Sequence, residues 1–400
     1  MRKKYNIIDL FAGCGGLLEG FEKTKSFNTL ACVEWEKAPC DNLISRLQNK
    51  WGYSNAKNIV LRFDIQRISE LFNGWKDDPE YGSSKGLDQI IGKKKVDFVI
   101  GGPPCQAYSI AGRVRDKNRM KYDYRNFLFE SYLSVVDHYR PIAFIFENVE
   151  GILSAKPKGI RIIDEIRSAF EKIGYALLND LRNALYDVAD FGIPQHRKRI
   201  VILGIRKDID STSEMLNKFY FDILPRYKVK IQTTVKQAIG DLPKLYPIES
   251  NNEKKVSHTK SSFPNHIARF HNKRDISIFE LLAKDIADGT NRYISPKALK
   301  ILYYEKTGNL SNIHKYNVLK ENMPSNTIPA HLFKDGLRHI HPDYTQARTI
   351  TVREAARLQS FDDDYVFNSS MSDNFKMIGN AVPPKFSYII AIALLELLEK

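Results

Sequence analysis

The sequence predicts an α/β protein: a mixed, mostly parallel sheet with a smaller irregular domain attached. Three observations carry this. Over the first 200 residues, short β-rich apolar runs alternate with helical patterns. Between about residues 205 and 330 that alternation fades into turn-rich chain. After Arg348, strong helix signals return. Strands alternating with helices imply a parallel sheet covered on both faces. With 400 residues, 43% of them hydrophobic, the chain has room for two or three domains.

In order, strands are expected at Tyr5–Leu10, 29–33, 96–100, 142–146 and 200–203. Thr351-Val352-Arg353-Glu354 reads as a capping box opening a helix through Leu358. Pro383-Pro384 precedes an almost uniformly apolar helix over 386–398. Proline suits a first helical turn, and a helix apolar all round belongs in a core, so this one is expected to pack back on the first domain.

The chain carries a net charge of +14 and has a pI near 9.3, which favours a polyanionic partner. Residues 205–330 hold 21 Lys and Arg against 13 Asp and Glu, more than half of the net charge. The four cysteines, Cys14, Cys32, Cys40 and Cys105, form no C-x-x-C pair and no zinc-finger spacing. Free thiols in a reducing cytoplasm are expected, with no metal site. No uninterrupted run of 18 apolar residues and no secretory pattern are seen, so no membrane association is expected. There is no internal repeat and no low-complexity segment.

Ile7-Ile8-Asp9-Leu10-Phe11-Ala12-Gly13-Cys14-Gly15-Gly16 is a strand running into a glycine-rich turn, followed by a helical pattern. Glycines let backbone approach a ligand, and a helix N-terminus favours negative charge. Glu34 ends the next strand, where an acid can accept hydrogen bonds from ribose hydroxyls, and Trp35 offers a face for an adenine ring. Asp64-Ile65 could meet the adenine amino group; otherwise Asp64 is a solvated loop acid. The turn could serve NAD, FAD or S-adenosylmethionine, but the missing third glycine weighs against a dinucleotide.

At the end of the third run, Gly101-Gly102-Pro103-Pro104-Cys105 places a thiol after two glycines and two stiffening prolines. A thiol held rigidly at a sheet edge suits nucleophilic attack; the bland alternative is a small buried hydrophobe. Arg113, Arg115, Lys117, Arg119 and Lys121 follow, in a loop able to close over a phosphate backbone. The fourth run leads into Glu147-Asn148-Val149, where a partly desolvated Glu147 could donate a proton. Alternation along Gln195-His196-Arg197-Lys198-Arg199 puts Gln195, Arg197 and Arg199 on one side, suited to a carbonyl oxygen and to orienting Glu147.

These pieces, with Arg353-Glu354-Ala355-Ala356-Arg357-Leu358-Gln359 and Gly379-Asn380-Ala381-Val382-Pro383-Pro384, resemble the DNA cytosine-C5 methyltransferase family, especially the compact bacterial restriction–modification enzymes. Six motifs occur in the family's order over residues 9 to 384. The resemblance implies a Rossmann-like S-adenosylmethionine-dependent catalytic domain, 1–204 and 331–400, and a target recognition domain, 205–330. It implies a donor pocket lined by Phe11, Gly13, Gly15, Glu34, Trp35, Asp64, Pro104, Leu128, Asn380 and Val382. Cys105, Glu147, Arg197 and Arg199 would be catalytic. Gln106, Ser109, Arg113, Arg115, Arg269, Lys273 and Arg274 are candidate contacts to double-stranded DNA. A cytoplasmic monomer is expected, releasing S-adenosylhomocysteine, with a cognate endonuclease as a genetic partner. A transfer-RNA methyltransferase of the same chemistry is the runner-up.

Overall fold

A computed structural model describes residues 4–104, 128–156, 159–251, 255–314, 316–334 and 336–399. These divide into two units. Unit 1 is Met1–Gly192, Arg197–Lys230 and Ala381–Lys400; unit 2 is Ile193–His196 and Ile231–Asn380.

The apolar runs of unit 1 pair into one sheet. Its strands are β1 (Tyr5–Leu10), β2 (Phe27–Glu34), β3 (Val60–Arg62), β4 (Phe98–Gly101), β5 (Ala143–Val149), β6 (Tyr175–Leu177), β7 (Leu185–Asp187) and β8 (Lys198–Arg206). Among the described residues the order is β3-β2-β1-β4-β5-β8-β6, with β7 also on β8. The first five are parallel, whereas β8 runs antiparallel to β5, β6 and β7. Because β1 lies between β2 and β4, winding reverses there, and the crevice beyond the carboxyl ends of these strands is where such sheets bind ligands.

Strand ends differ from the sequence expectation in informative ways. β4 begins at Phe98, since the Asp97 carboxylate accepts the Asn6 N–H at 2.9 Å. β5 continues to Val149, so Glu147 and Asn148 lie in the strand itself. β8 is longer than expected because neighbours on both sides pair with it.

Helices α1 (Gly16–Lys23), α2 (Lys37–Asn49), α3 (Leu128–Tyr139) and α4 (Ile162–Lys172) cover the sheet. The C-terminal helix, Pro384–Leu398, packs against α1 as the sequence predicted. Gly16 and Gly20, one turn apart, make this possible: a methyl group on Gly16 would lie 2.5 Å from the Val382 carbonyl, and one on Gly20 would collide with Ser387 and Tyr388. A window within Met371–Leu398 is apolar enough to cross a bilayer, but 67% of it is buried in the fold.

Unit 2 contains α5 (Lys273–Ala287), α6 (Pro296–Thr307), α7 (Val352–Leu358) and α8 (Met371–Asn380), with a small antiparallel pair, Pro247–Asn251 and Val256–His258. Ile278, Phe279, Leu282, Leu302, Tyr316 and Ile340 form its core. The expected capping box is present at Thr351 and Glu354.

The two units divide the chain differently from the expected domain limits. Residues 205–230 stay with unit 1: the Tyr220 hydroxyl donates to the Val201 carbonyl and accepts from the Leu203 N–H of β8, and Arg226 pairs with Glu396. Residues 331–380 belong to unit 2. Helix signals mark elements but not which core they join. With these limits unit 2 holds 21 Lys and Arg against 16 Asp and Glu, no more than its share of the net charge, so basicity does not single it out.

Candidate active site

Four strand ends, of β1, β2, β4 and β5, and the start of β8 lie at the carboxyl edge of the sheet in unit 1. The turn after β1 is tight: Phe11 takes φ 56°, Gly13 φ 55° and Gly15 φ 84°. A left-handed phenylalanine is costly, roughly 1–3 kcal/mol, and such strain gathers at functional sites. A side chain on Gly13 would meet nothing within 4 Å, so open space lies beside its backbone.

Glu34 is clamped at the end of β2. One carboxylate oxygen accepts the Gly13 N–H at 2.9 Å; the other accepts the N–H groups of Trp35 at 2.9 Å and Glu36 at 2.8 Å. Burial still pushes its carboxyl upward. Trp35 beside it is 49% exposed. Asp64 is half-buried and accepts the Gln66 N–H, while Ile65 is buried. Leu128 opens α3 and is buried, and Pro104 is exposed. The Val382 carbonyl lies against Gly16; Asn380 ends α8 as an exposed residue of unit 2.

Asp9 was not singled out as a site residue. It sits inside β1 opposite Cys32 and Ile100, is 1% exposed, and neither carboxylate oxygen has a hydrogen-bond partner among the described residues. Burial, then the charge of Glu34, holds its carboxyl well above the usual range. Its position within an apolar strand was the available signal.

The acid end is built by β4, β5 and β8. Glu147 is 8% exposed, and Arg199 donates from Nε to its Oε1 at 2.8 Å. Burial raises the Glu147 carboxyl despite the opposing pull of Arg199 and Arg197. Gly102 is required here, because a methyl group on it would lie 2.7 Å from Glu147 Oε2. Asn148 Nδ2 donates to the Pro103 carbonyl at 3.2 Å, tying β5 to the segment that leads to Cys105. Cys105, Gln106, Ser109, Arg113 and Arg115 themselves lie outside the described residues.

The expected grouping of Gln195 with the arginines does not hold. Regular alternation begins only at Lys198, where β8 starts. Gln195 belongs to unit 2: its amide donates to the Leu358 carbonyl and to Gln359 Oε1, and its Oε1 accepts the Ile328 N–H at 2.8 Å. Arg197 and Arg199 belong to unit 1. Among the residues expected to meet DNA, Arg269 donates to the carbonyls of Leu332 and Phe333 and lies over the Phe375 ring. It braces unit 2 from within. Lys273 opens α5, and Arg274 pairs with Asp275 at 3.0 Å.

Among the described residues, no cluster of His, Cys, Asp or Glu is placed to hold a metal ion. Cys14, Cys32 and Cys40 are buried, and burial pushes the thiols of Cys32 and Cys40 up, away from thiolate. The edge thus carries a protonatable acid under two guanidiniums at one end and a carboxylate-lined glycine turn at the other.

Known proteins share this arrangement of motifs. The profile of the C-5 cytosine-specific DNA methylase family matches residues 5–396. The type II methyltransferase M.Bpa9945I of Bacillus paralicheniformis is 34% identical over 97% of this chain and 98% of its own. The type II methyltransferase M.DdeI of Desulfomicrobium norvegicum is 30% identical over 96% and 87%. Among solved structures, a DNA modification methyltransferase encoded within an E. coli prophage superposes with a TM-score of 0.62 at 24% identity, covering 99% of this chain and all of that one. Dnmt2 of S. pombe superposes with 0.57 at 17% identity over 99% and 100%.

Proposed function

The chain belongs to the C-5 cytosine-specific DNA methylase family, and on that premise we propose that Cys105 is its nucleophile, Glu147 its acid, and S-adenosyl-L-methionine its methyl donor. The family's reaction is methylation of cytosine at C5 in DNA. The raised, arginine-flanked Glu147 carries this reading.

Cytosine C5 is a weak nucleophile. A thiolate on Cys105 adds to C6 and makes the ring enamine-like, so that C5 can attack a methyl carbon. Negative charge spreads toward N3 and O2 as this happens. Glu147, whose carboxyl burial raises above the usual range, supplies a proton or hydrogen bond at N3, while Arg199 orients the acid and adds positive charge with Arg197. After methylation, C5 loses its proton and C6 releases Cys105, which restores the aromatic ring. The other three cysteines are buried, and burial pushes the thiols of Cys32 and Cys40 up, which favours Cys105 as the candidate.

The residues at the glycine turn fit the donor. It is a cation with an adenosyl group, and the site offers the partnerless Asp9 carboxyl, the clamped Glu34 for ribose hydroxyls, open space at Gly13 and the exposed Trp35. Asp64, Ile65, Leu128, Pro104 and Val382 are the remaining candidate contacts, with Asn380 at the chain's crossing between units. When bound, the donor supplies a methyl group on a sulfonium centre; the protein supplies orientation.

The target base must leave the duplex stack, at a cost of a few kcal/mol. Unit 2 is the candidate reader of the flanking sequence, and Lys273 and Arg274 remain candidate phosphate contacts there. Following its type II relatives, the protein would shield its own genome from a cognate endonuclease. The test is labelled methyl transfer to duplex DNA and to transfer RNA, by wild type and by Cys105→Ser. Label is expected in DNA alone and lost in the variant. Label confined to RNA, or full activity of Cys105→Ser, would overturn the reading.

A further inference from the structure

The two arginines at the start of β8, Arg197 just before it and Arg199 within it, are not equivalent. Arg199 pairs directly with Glu147. Arg197 is 2% exposed, and its Nη2 donates to the Ala381 carbonyl at 3.1 Å. Ala381 and Val382 are the residues that press against Gly16, where the glycine turn enters α1: a methyl group on Gly16 would lie 2.9 Å from Ala381 Cβ and 2.5 Å from the Val382 carbonyl. The charge of the same guanidinium lowers the Glu147 carboxyl, against the effect of burial. One buried cation therefore touches the wall of the glycine turn and sits in the field of the acid.

We propose that Arg197 is a positioning residue that couples the donor turn to the acid, holding the Ala381–Val382 backbone against Gly16 while its charge bears on Glu147. The proposal rests on the reading of Glu147 as the acid and of the glycine turn as the donor site. It separates the arginines: Arg199 pairs with the acid directly, while Arg197 acts on acid and donor together. A guanidinium suits this because it has five N–H donors in a fixed plane, so it can serve a carbonyl and still face a carboxylate; an ammonium is a single point.

Among the described residues, the charged groups acting on Glu147 are Arg199, in β8, and Arg197, just before it; Gly102, just after β4, lies against it. Both arginines favour the carboxylate. Removing either raises Glu147 further, so the alkaline fall of kcat/KM moves to higher pH.

The test is calorimetric binding of S-adenosyl-L-homocysteine together with a pH profile of kcat/KM. For Arg197→Gln we expect affinity about tenfold weaker, the worth of one charged hydrogen bond, and an alkaline limb displaced upward. For Arg199→Gln the limb should move while affinity stays within about twofold of wild type, well below that loss. Arg197→Lys, the conservative change, should hold the limb yet still lose affinity. Unchanged affinity in a folded Arg197→Gln or Arg197→Lys protein overturns the coupling. Should both variants misfold, wild type still decides. Coupling is reciprocal, so homocysteine-product affinity must vary with pH across the Glu147 titration and lose that variation in Glu147→Gln; a flat profile in wild type rejects it. Wild-type methylation of DNA tests the underlying reading separately.

Discussion

Each unit buries a glutamate against an arginine, and the two pairs behave oppositely. In unit 2, Glu354 receives both terminal nitrogens of Arg348 at 2.7 Å, the Thr351 N–H at 2.7 Å, and lies 3.5 Å from His341. These partners outweigh burial and drive its carboxyl far down. In unit 1, Glu147 has one contact with Arg199 at 2.8 Å, and burial dominates, so its carboxyl rises. Both partners are arginines, but Arg348 lies deeper than Arg199, and among the described residues Glu354 has more donors than Glu147. A saturated carboxylate is a brace, and an under-satisfied one is left able to exchange a proton.

Breaking the comparison starts at Glu147. Glu147→Gln keeps the shape and removes the proton, so kcat should fall by roughly 10²–10⁴, with the urea midpoint little changed. A variant that lost stability and kept its turnover would make Glu147 a brace as well. The mirror change, Glu354→Gln, strands Arg348 in the interior. It should cost about 3–5 kcal/mol of stability, read by urea unfolding, while turnover per folded molecule stays within a few-fold.

Protons sharpen the contrast further. Unit 2 holds eight of the nine histidines. Burial lowers His258, His339 and His341 to about 4 and His271 to about 3. Geometry agrees: His341 Nδ1 accepts the Asp343 N–H at 3.1 Å, and His271 Nε2 accepts the Thr349 N–H at 3.3 Å, so neither nitrogen can carry a proton. With folded values below the unfolded one, their stability is complete above about pH 6.5 and declines as pH falls toward about 4. Hydrogen exchange should show unit 2 opening first between pH 7 and 5. Glu147 has the opposite sign: its acid form persists to higher pH than usual, and kcat/KM should fall as pH rises through that value. The smallest effect belongs to the helix start. Thr351→Ala removes one half of the capping box and should cost about 1 kcal/mol, measured as a shift in thermal midpoint.

The motifs were legible because each is local. Asp9 through Gly16 needs a strand, a sharp turn and a helix within a dozen residues, and glycine alone tolerates most of those dihedrals. Thr351 and Glu354 bond to each other's backbone, so spacing suffices to find them. Nothing local shows that the half-buried Arg269 guanidinium reaches carbonyls 63 and 64 residues away. The expected boundary at 205 and the end of the unit 1 segment at Lys230 differ because Tyr220 bonds to β8 through tertiary packing, while the fading alternation around it resembles a new domain.

The sequence by itself determined the α/β class, five of the eight described strands of the sheet, the capping box and the residue types of the site, since periodicity, glycine placement and short-range hydrogen bonding act within a few residues. Tertiary structure alone decided which carboxyls are satisfied. Glu147 and Glu354 both follow or enter apolar segments and both have arginines nearby in the chain order of their motifs. Whether a carboxyl becomes an acid or a brace depends on how many donors the folded backbone brings to it, and on how much water it removes. Those are sums over distant residues that no local pattern records. The same holds for Asp9, orphaned by its neighbours β2 and β4, and for Arg197, whose partner Ala381 lies 184 residues along the chain.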